Sequence, residues 1–118
     1  MVYKLNYNEL HDIACNIIYS KHARLRLSQR LGITNDHARN GQLFTMILNS
    51  PIAYMNTDGC INVAINDYEY LVVAPKEDNY FCITFKEASR NGYTVLDKYK
   101  LALKGWKRWI NKKKNLIE

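Results

Sequence analysis

The chain lacks an apolar run long enough to cross a bilayer, and no window has the charged start and apolar centre of a secretory signal. It has only three cysteines, Cys15, Cys60 and Cys82. An odd number cannot pair completely within one chain, and their spacing forms no metal-binding motif. They read as reduced, partly buried thiols, and a cytoplasmic location is expected. With two prolines and five glycines, no linker, internal repeat or low-complexity segment stands out. His11 and Cys15 share a helical face, but without further ligands they make a poor metal site. Neither a metal nor a cofactor is expected, and neither is a membrane partner.

What is present is enough for one core and no more. The length of 118 residues suits a single domain over 1–118. Nine tyrosines and two tryptophans suit broad half-buried surfaces better than a disordered chain. Seventeen Lys and Arg stand against eleven Asp and Glu, a net charge of +6. The simplest partner for such a surface is a polyanion, nucleic acid first, because Lys and Arg release the counterions condensed on phosphates. Positive charge that only keeps the protein in solution is the plainer alternative.

The hydrophobic period predicts three helices, then strands, then a last helix. Asn6 and Glu9 form a capping-box pattern for a helix over Asn6–Ile18, with Leu10, Ile13, Ala14 and Ile17 on one face. Ser20 is placed to cap a second helix, Lys21–Leu31, ended by Gly32. A third follows over Asp36–Leu48, stopped by Ser50-Pro51. Four strands are expected at Ile52–Asn56, Cys60–Ile65, Tyr68–Ala74 and Tyr80–Phe85, with hairpin turns at Asp58-Gly59 and Pro75–Asn79. The last helix starts near Thr94, with Leu96, Tyr99, Leu103, Trp106 and Ile110 on its packing stripe. The expected class is α+β: N-terminal helices, a four-stranded antiparallel sheet and a long C-terminal helix.

The most informative stretch lies on the second helix. His22, Arg26 and Arg30 are four residues apart and form one ridge, beside the core-facing Ala23, Leu27 and Leu31. Two guanidinium groups can grip phosphate oxygens, and an imidazole can move a proton at neutral pH. Together they suit attack by a ribose 2′-hydroxyl on the adjacent phosphorus, with the arginines stabilising the charge that builds there. From spacing alone, such a ridge is more often a solvated surface.

The matching positions His22, Ala23, Arg26, Arg30, Gly32 and Ile33 spell HAxxRxxxRxGI. This resembles the opening signature of a bacterial and phage domain family, usually written HAxxRxxxRGI and followed by a short helix, a proline and strands that close on a Thr-containing strand. Pro51 and Thr84 fit the later positions. Leu31 is inserted before the glycine, and the segment before Pro51 is longer than the family's. The family is related to the RelE-like and barnase–EndoU–colicin group of metal-independent ribonucleases, many of them toxins. The resemblance implies a RelE/barnase-like fold, a metal-independent endoribonuclease of toxin or phage-effector type, and a site of His22, Arg26, Arg30 and Thr84. It also implies RNA as partner, with an antitoxin or immunity protein as a second.

Other residues are candidates for holding the nucleic acid: Lys21 and Arg24 beside the ridge, Arg90 after the last strand, and Lys104, Lys107 and Arg108 on the final helix. Glu87 is a candidate second acid–base group. On the last strand, period two puts Phe81, Ile83 and Phe85 on one face and Thr84 on the other. If the helices cover the phenylalanine face, Thr84 faces outward. In the final helix Trp106 belongs to the packing stripe and Trp109 is less committed. That helix is expected to add nonspecific attraction for phosphates. The rival readings are a binding module without chemistry and a phage-type protein inhibitor that uses tyrosines as interface anchors.

Overall fold

The computed structural model describes residues 1–88 and 92–117, the side chains of 115–117 aside. In chain order the elements are β1 (Tyr3–Lys4), α1 (Tyr7–Asn16), β2 (Ile17–Tyr19), α2 (Lys21–Leu31) and α3 (Asp36–Leu48). Then come β3 (Ala53–Met55), β4 (Ile61–Ala64), β5 (Glu69–Lys76), β6 (Asn79–Glu87) and α4 (Val95–Ile117). The fold is α+β. Its sheet has six strands in the order β1-β3-β4-β5-β6-β2.

The expected four-stranded antiparallel meander is the centre of this sheet, β3 to β6. Two edge strands extend it. β1 pairs antiparallel with β3, and β2 pairs parallel with β6, so the sheet is mixed. The first helix therefore stops at Asn16, not Ile18. Ile17, Ile18 and Tyr19 leave the helix to pair with Tyr80, Phe81 and Cys82. Their β-branched and aromatic side chains suit a pleated edge better than a last helical turn.

Local chemistry sets most helix ends. The Asn6 side chain accepts from Glu9 N at 2.9 Å, and Glu9 Oε1 accepts from Asn6 N at 3.0 Å, a complete capping box. Ser20 caps α2 by accepting from Ala23 N at 2.9 Å, and Gly32 ends it in the left-handed region at φ 70°. Asn35 caps α3 at 2.7 Å. At α4, Thr94 Oγ1 accepts from Asp97 N at 3.1 Å, and Asp97 accepts in return from Thr94 N at 2.9 Å. Hydrogen bonding to the carboxylate from Thr94, its backbone N–H first and its hydroxyl second, holds Asp97 below its ordinary value. Ser20 has a second task, because its hydroxyl donates to the Ile83 carbonyl at 2.7 Å and ties α2 to β6. Ser20→Ala is therefore expected to cost about 1–2 kcal/mol. A urea midpoint unchanged by that substitution would contradict the double role.

The hairpin turns differ in how they reverse the chain. After β3, Thr57-Asp58-Gly59 makes a loop in which only Gly59, at φ 85°, takes a positive angle. Asp58 instead accepts from Cys60 N at 2.9 Å. The turn after β5 is tighter than expected. Pro75 and Lys76 stay in the strand, opposite Tyr80 and Asn79, and Glu77 takes φ 49°.

The sheet separates two apolar clusters. On one face, α1, α2 and α3 pack through Leu10, Ile13, Ala23, Leu27, Leu43 and Ile47 against Ile61, Val63, Leu71, Val73, Cys82 and Phe85. On the other face, α4 packs through Val95, Tyr99, Ala102, Leu103 and Trp106 against Ile52, Tyr54, Ala64 and Tyr70. Leu96, expected on that stripe, is 44 % exposed, and Val95 takes its place. Val73 pairs with Cys82 while Val72 pairs with Thr84, so Ile83 stands in a bulge. The bulge breaks strict alternation. Cys82 and Phe85 share the α1–α3 face, and Ile83 is 41 % exposed. Phe81, Ile83 and Phe85 therefore do not form one face.

Candidate nucleic-acid interface

Charge is divided unevenly over this frame. α2 carries four basic residues and no acidic one. α4 carries eight basic residues and only Asp97 against them. The rest of the chain has five basic and ten acidic residues. The positive excess thus belongs to two helices, one on each face of the sheet.

On α2, Ala23 and Leu27 are fully buried, and the ridge of His22, Arg26 and Arg30 runs beside them. The helix advances about 1.5 Å per residue, so the ridge spans roughly 12 Å. Its three members meet different surroundings. His22 is exposed in the first turn, with Lys21 and Arg24 exposed next to it. Arg26 is half-buried, and its Nε is sealed from solvent without a hydrogen-bond partner. Among the described residues no carboxylate neutralises it. Arg30 is engaged: its Nη1 donates to Glu87 Oε1 and lies 3.7 Å from Glu69 Oε2. Glu69 and Glu87 are paired across β5 and β6. Arg30 therefore clasps the end of the sheet. Its charge is largely met before any phosphate arrives, and Glu87, the candidate acid–base group, is held by the same contact.

Thr84 falls in the row of Tyr54, Asn62 and Val72, on the α4 face. It is 9 % exposed. Its hydroxyl is on the face opposite Phe85, as period two implied, but that face is not open, because α4 packs on it. Its backbone neighbours the start of α2 through the Ser20–Ile83 bond. Its side chain lies across the sheet from Ala23 and Leu27. In the same row, Asn62 Nδ2 donates to the Tyr54 hydroxyl at 2.9 Å, a buried polar pair that satisfies itself.

Lys104, Lys107 and Arg108 are exposed on α4. Arg90 lies outside the described residues. Trp106 packs on the sheet, as its stripe position required, and Trp109 is 51 % exposed.

Two charged features were not anticipated. Arg39 is 7 % exposed, bonds Asp36 at 2.6 Å, and leaves its Nε unpartnered. Arg39 lies four residues before Leu43 and eight before Ile47, on the buried ridge of α3, so its spacing was the signal and its charge concealed it. Tyr80 donates to Asp12 at 2.7 Å, and that bond, more than burial, pushes its hydroxyl up to about 12. Two of the thiols are poor nucleophiles by position: burial pushes Cys82 up to about 12 and also raises Cys60. Cys15 lies 3.7 Å from His11 Nδ1 on the surface. Among the described residues no three potential ligands gather for a metal, and no helix is long and apolar enough to cross a membrane. Compared with family models, with curated proteins and with solved structures, the chain finds no match.

Proposed function

We propose that this chain is a metal-independent endoribonuclease domain of RelE/barnase-like fold, acting as a toxin or phage effector, with His22 and Arg26 at its centre. One observation carries the reading: an exposed imidazole stands one helical turn from a half-buried guanidinium that no carboxylate among the described residues neutralises. In this arrangement Arg26 holds the phosphate, and Lys21 and Arg24 draw the backbone onto the first turns of α2. His22 takes the proton from the 2′-hydroxyl as that oxygen attacks phosphorus, or gives one to the leaving oxygen. Arg30 holds Glu87 and so fixes the end of the sheet. Thr84 supports the backbone beneath the site.

The binding half of the reading predicts a split between the two arginines. Arg26→Ala should reduce the salt dependence of RNA affinity by about one phosphate contact. Arg30→Ala should change it less, because its charge is already shared with two carboxylates. Titrations of RNA at several salt concentrations check this, and equal slopes for the two variants would contradict it.

The alternative is a nucleic-acid-binding or host-factor-inhibiting module without chemistry. The carboxylate clasp on Arg30 and the buried position of Thr84 favour it, since both remove expected partners from around the phosphate. Incubating the wild-type chain with total RNA and with ribosome-bound message in EDTA separates the two. Cleavage is expected, and intact RNA in both arms would leave the binding module.

A further inference from the structure

We propose that the distal half of α4 is a binding strip for single-stranded nucleic acid, with one base seated beside Gly105 against Trp109. The strip lies on the opposite face of the sheet from the packed stripe of α2, and it does not depend on the chemistry proposed there.

The argument begins with the helix's own composition. Eight Lys and Arg along 23 residues are far more than one packing helix needs. Lys104, Arg108 and Lys112 are four residues apart and form one ridge. Gly105, Trp109 and Lys113 form the next ridge beside it. Trp106 is fixed against the sheet, and Trp109 stacks on it, with centroids 5.1 Å apart and planes at 20°. The exposed indole is thus held by an anchored one. Lys113 rests on the Trp109 ring at 4.6 Å from its centroid, a contact that a base could replace while the ammonium moves to phosphate.

Gly105 is the second observation. Glycine weakens a helix interior relative to alanine. A Cβ at Gly105 would meet nothing within 4 Å, so no packing contact in the fold requires its absence. Yet Gly105 forms the floor between two openings. One is a cleft of about 520 Å³ between α4 and the β3–β4 turn, with walls that include Trp106, Trp109, Ala102, Asn56 and Thr57. The other is an open hollow where Arg108 and Lys112 adjoin Trp109. The first has apolar walls, two polar groups and room for a flat ring. The second brings cations to its mouth. A base in the first and its phosphate in the second accounts for a glycine at this position.

A membrane surface is the competing occupant for a basic helix with exposed tryptophan. It fits less well, because the apolar stripe of α4 faces the sheet. The exposed Leu96 stands about 140° round the helix from both Leu101 and Trp109, so these side chains make no continuous face to enter lipid.

The test uses the full chain and labelled short oligouridine, oligothymidine and duplex RNA, with anionic phosphatidylserine vesicles alongside. Both tryptophans of the chain are at this site, so intrinsic fluorescence reports it directly. Binding of single strands should quench it. Trp109→Ala should weaken single-strand affinity roughly tenfold or more, the range for one stacked base. Trp109→Phe should recover most of it, and duplex affinity should stay unchanged. Gly105→Ala should raise the thermal midpoint while weakening single-strand binding severalfold, an opposition that a purely structural glycine would not produce. Oligothymidine has no 2′-hydroxyl, so this outcome stands apart from cleavage at α2. Binding of both single strands would identify the occupant as single-stranded nucleic acid in general, and binding of oligouridine alone as RNA. Unchanged single-strand affinity in both Trp109→Ala and Gly105→Ala would overturn the proposal, as would stronger binding to vesicles than to any oligonucleotide.

Discussion

Replacing His22 by alanine is expected to lower the rate of RNA cleavage by roughly two to four orders of magnitude, the range for loss of a general acid or base. His22 is exposed in the first turn of α2. It contributes little packing, so the variant should keep the wild-type circular dichroism and urea midpoint. RNA affinity should fall by much less than the rate, because Lys21, Arg24 and Arg26 remain to hold phosphates. A rate and an affinity that drop together would make His22 a binding residue. An unchanged rate would remove it from the reaction.

The second large effect concerns the strand beneath the site. Phe85 is fully buried in the cluster shared with Ala23 and Leu27 of α2. Phe85→Ala should cost about 3–5 kcal/mol, a large part of the roughly 5–15 kcal/mol that stabilises a domain. Ile83 lies two residues earlier, and in a regular strand it would share the face of Phe85. Because it stands in the bulge and is 41 % exposed, Ile83→Ala should cost about 1 kcal/mol or less. Urea unfolding of the pair measures the bulge. Similar costs at the two positions would mean that the strand alternates regularly and that Ile83 packs beside Phe85.

That bulge marks the boundary of what the chain discloses by itself. The bounds of α2 and α3 were legible because their end signals are local: Ser20 and Gly32 for one, Thr34 or Asn35 and Ser50-Pro51 for the other, with Asn35 the cap in the structure. The order of the four central strands was legible for a similar reason, since each hairpin carries its own turn residues. The pairing of β2 with β6 was not. Ile17 continues the apolar rhythm of α1, and only the far edge of β6 gives Ile17–Tyr19 a better partner than another helical turn. β1 is two residues long and has no period to read.

The candidate site was half legible by the same rule. Helical geometry alone put His22, Arg26 and Arg30 on one ridge. The fate of Arg30 depends on Glu69 and Glu87, which reach it only when β5 and β6 pair. Thr84 keeps the face opposite Phe85, but whether that face is open depends on α4 packing across it, which the strand's own sequence does not carry; the bulge instead moves Cys82 onto the face of Phe85. The confinement of positive excess to α2 and α4 needed only the helix boundaries, and counting charge by element would have found it.

Mass spectrometry of the RNA ends produced in EDTA, with the His22→Ala protein run in parallel, tests the central claim most directly. The account predicts new 2′,3′-cyclic phosphate or 3′-phosphate ends from the wild-type chain, their near absence with the variant, and no cutting of DNA. Ends bearing 5′-phosphate and 3′-hydroxyl, or full activity in His22→Ala, would contradict it.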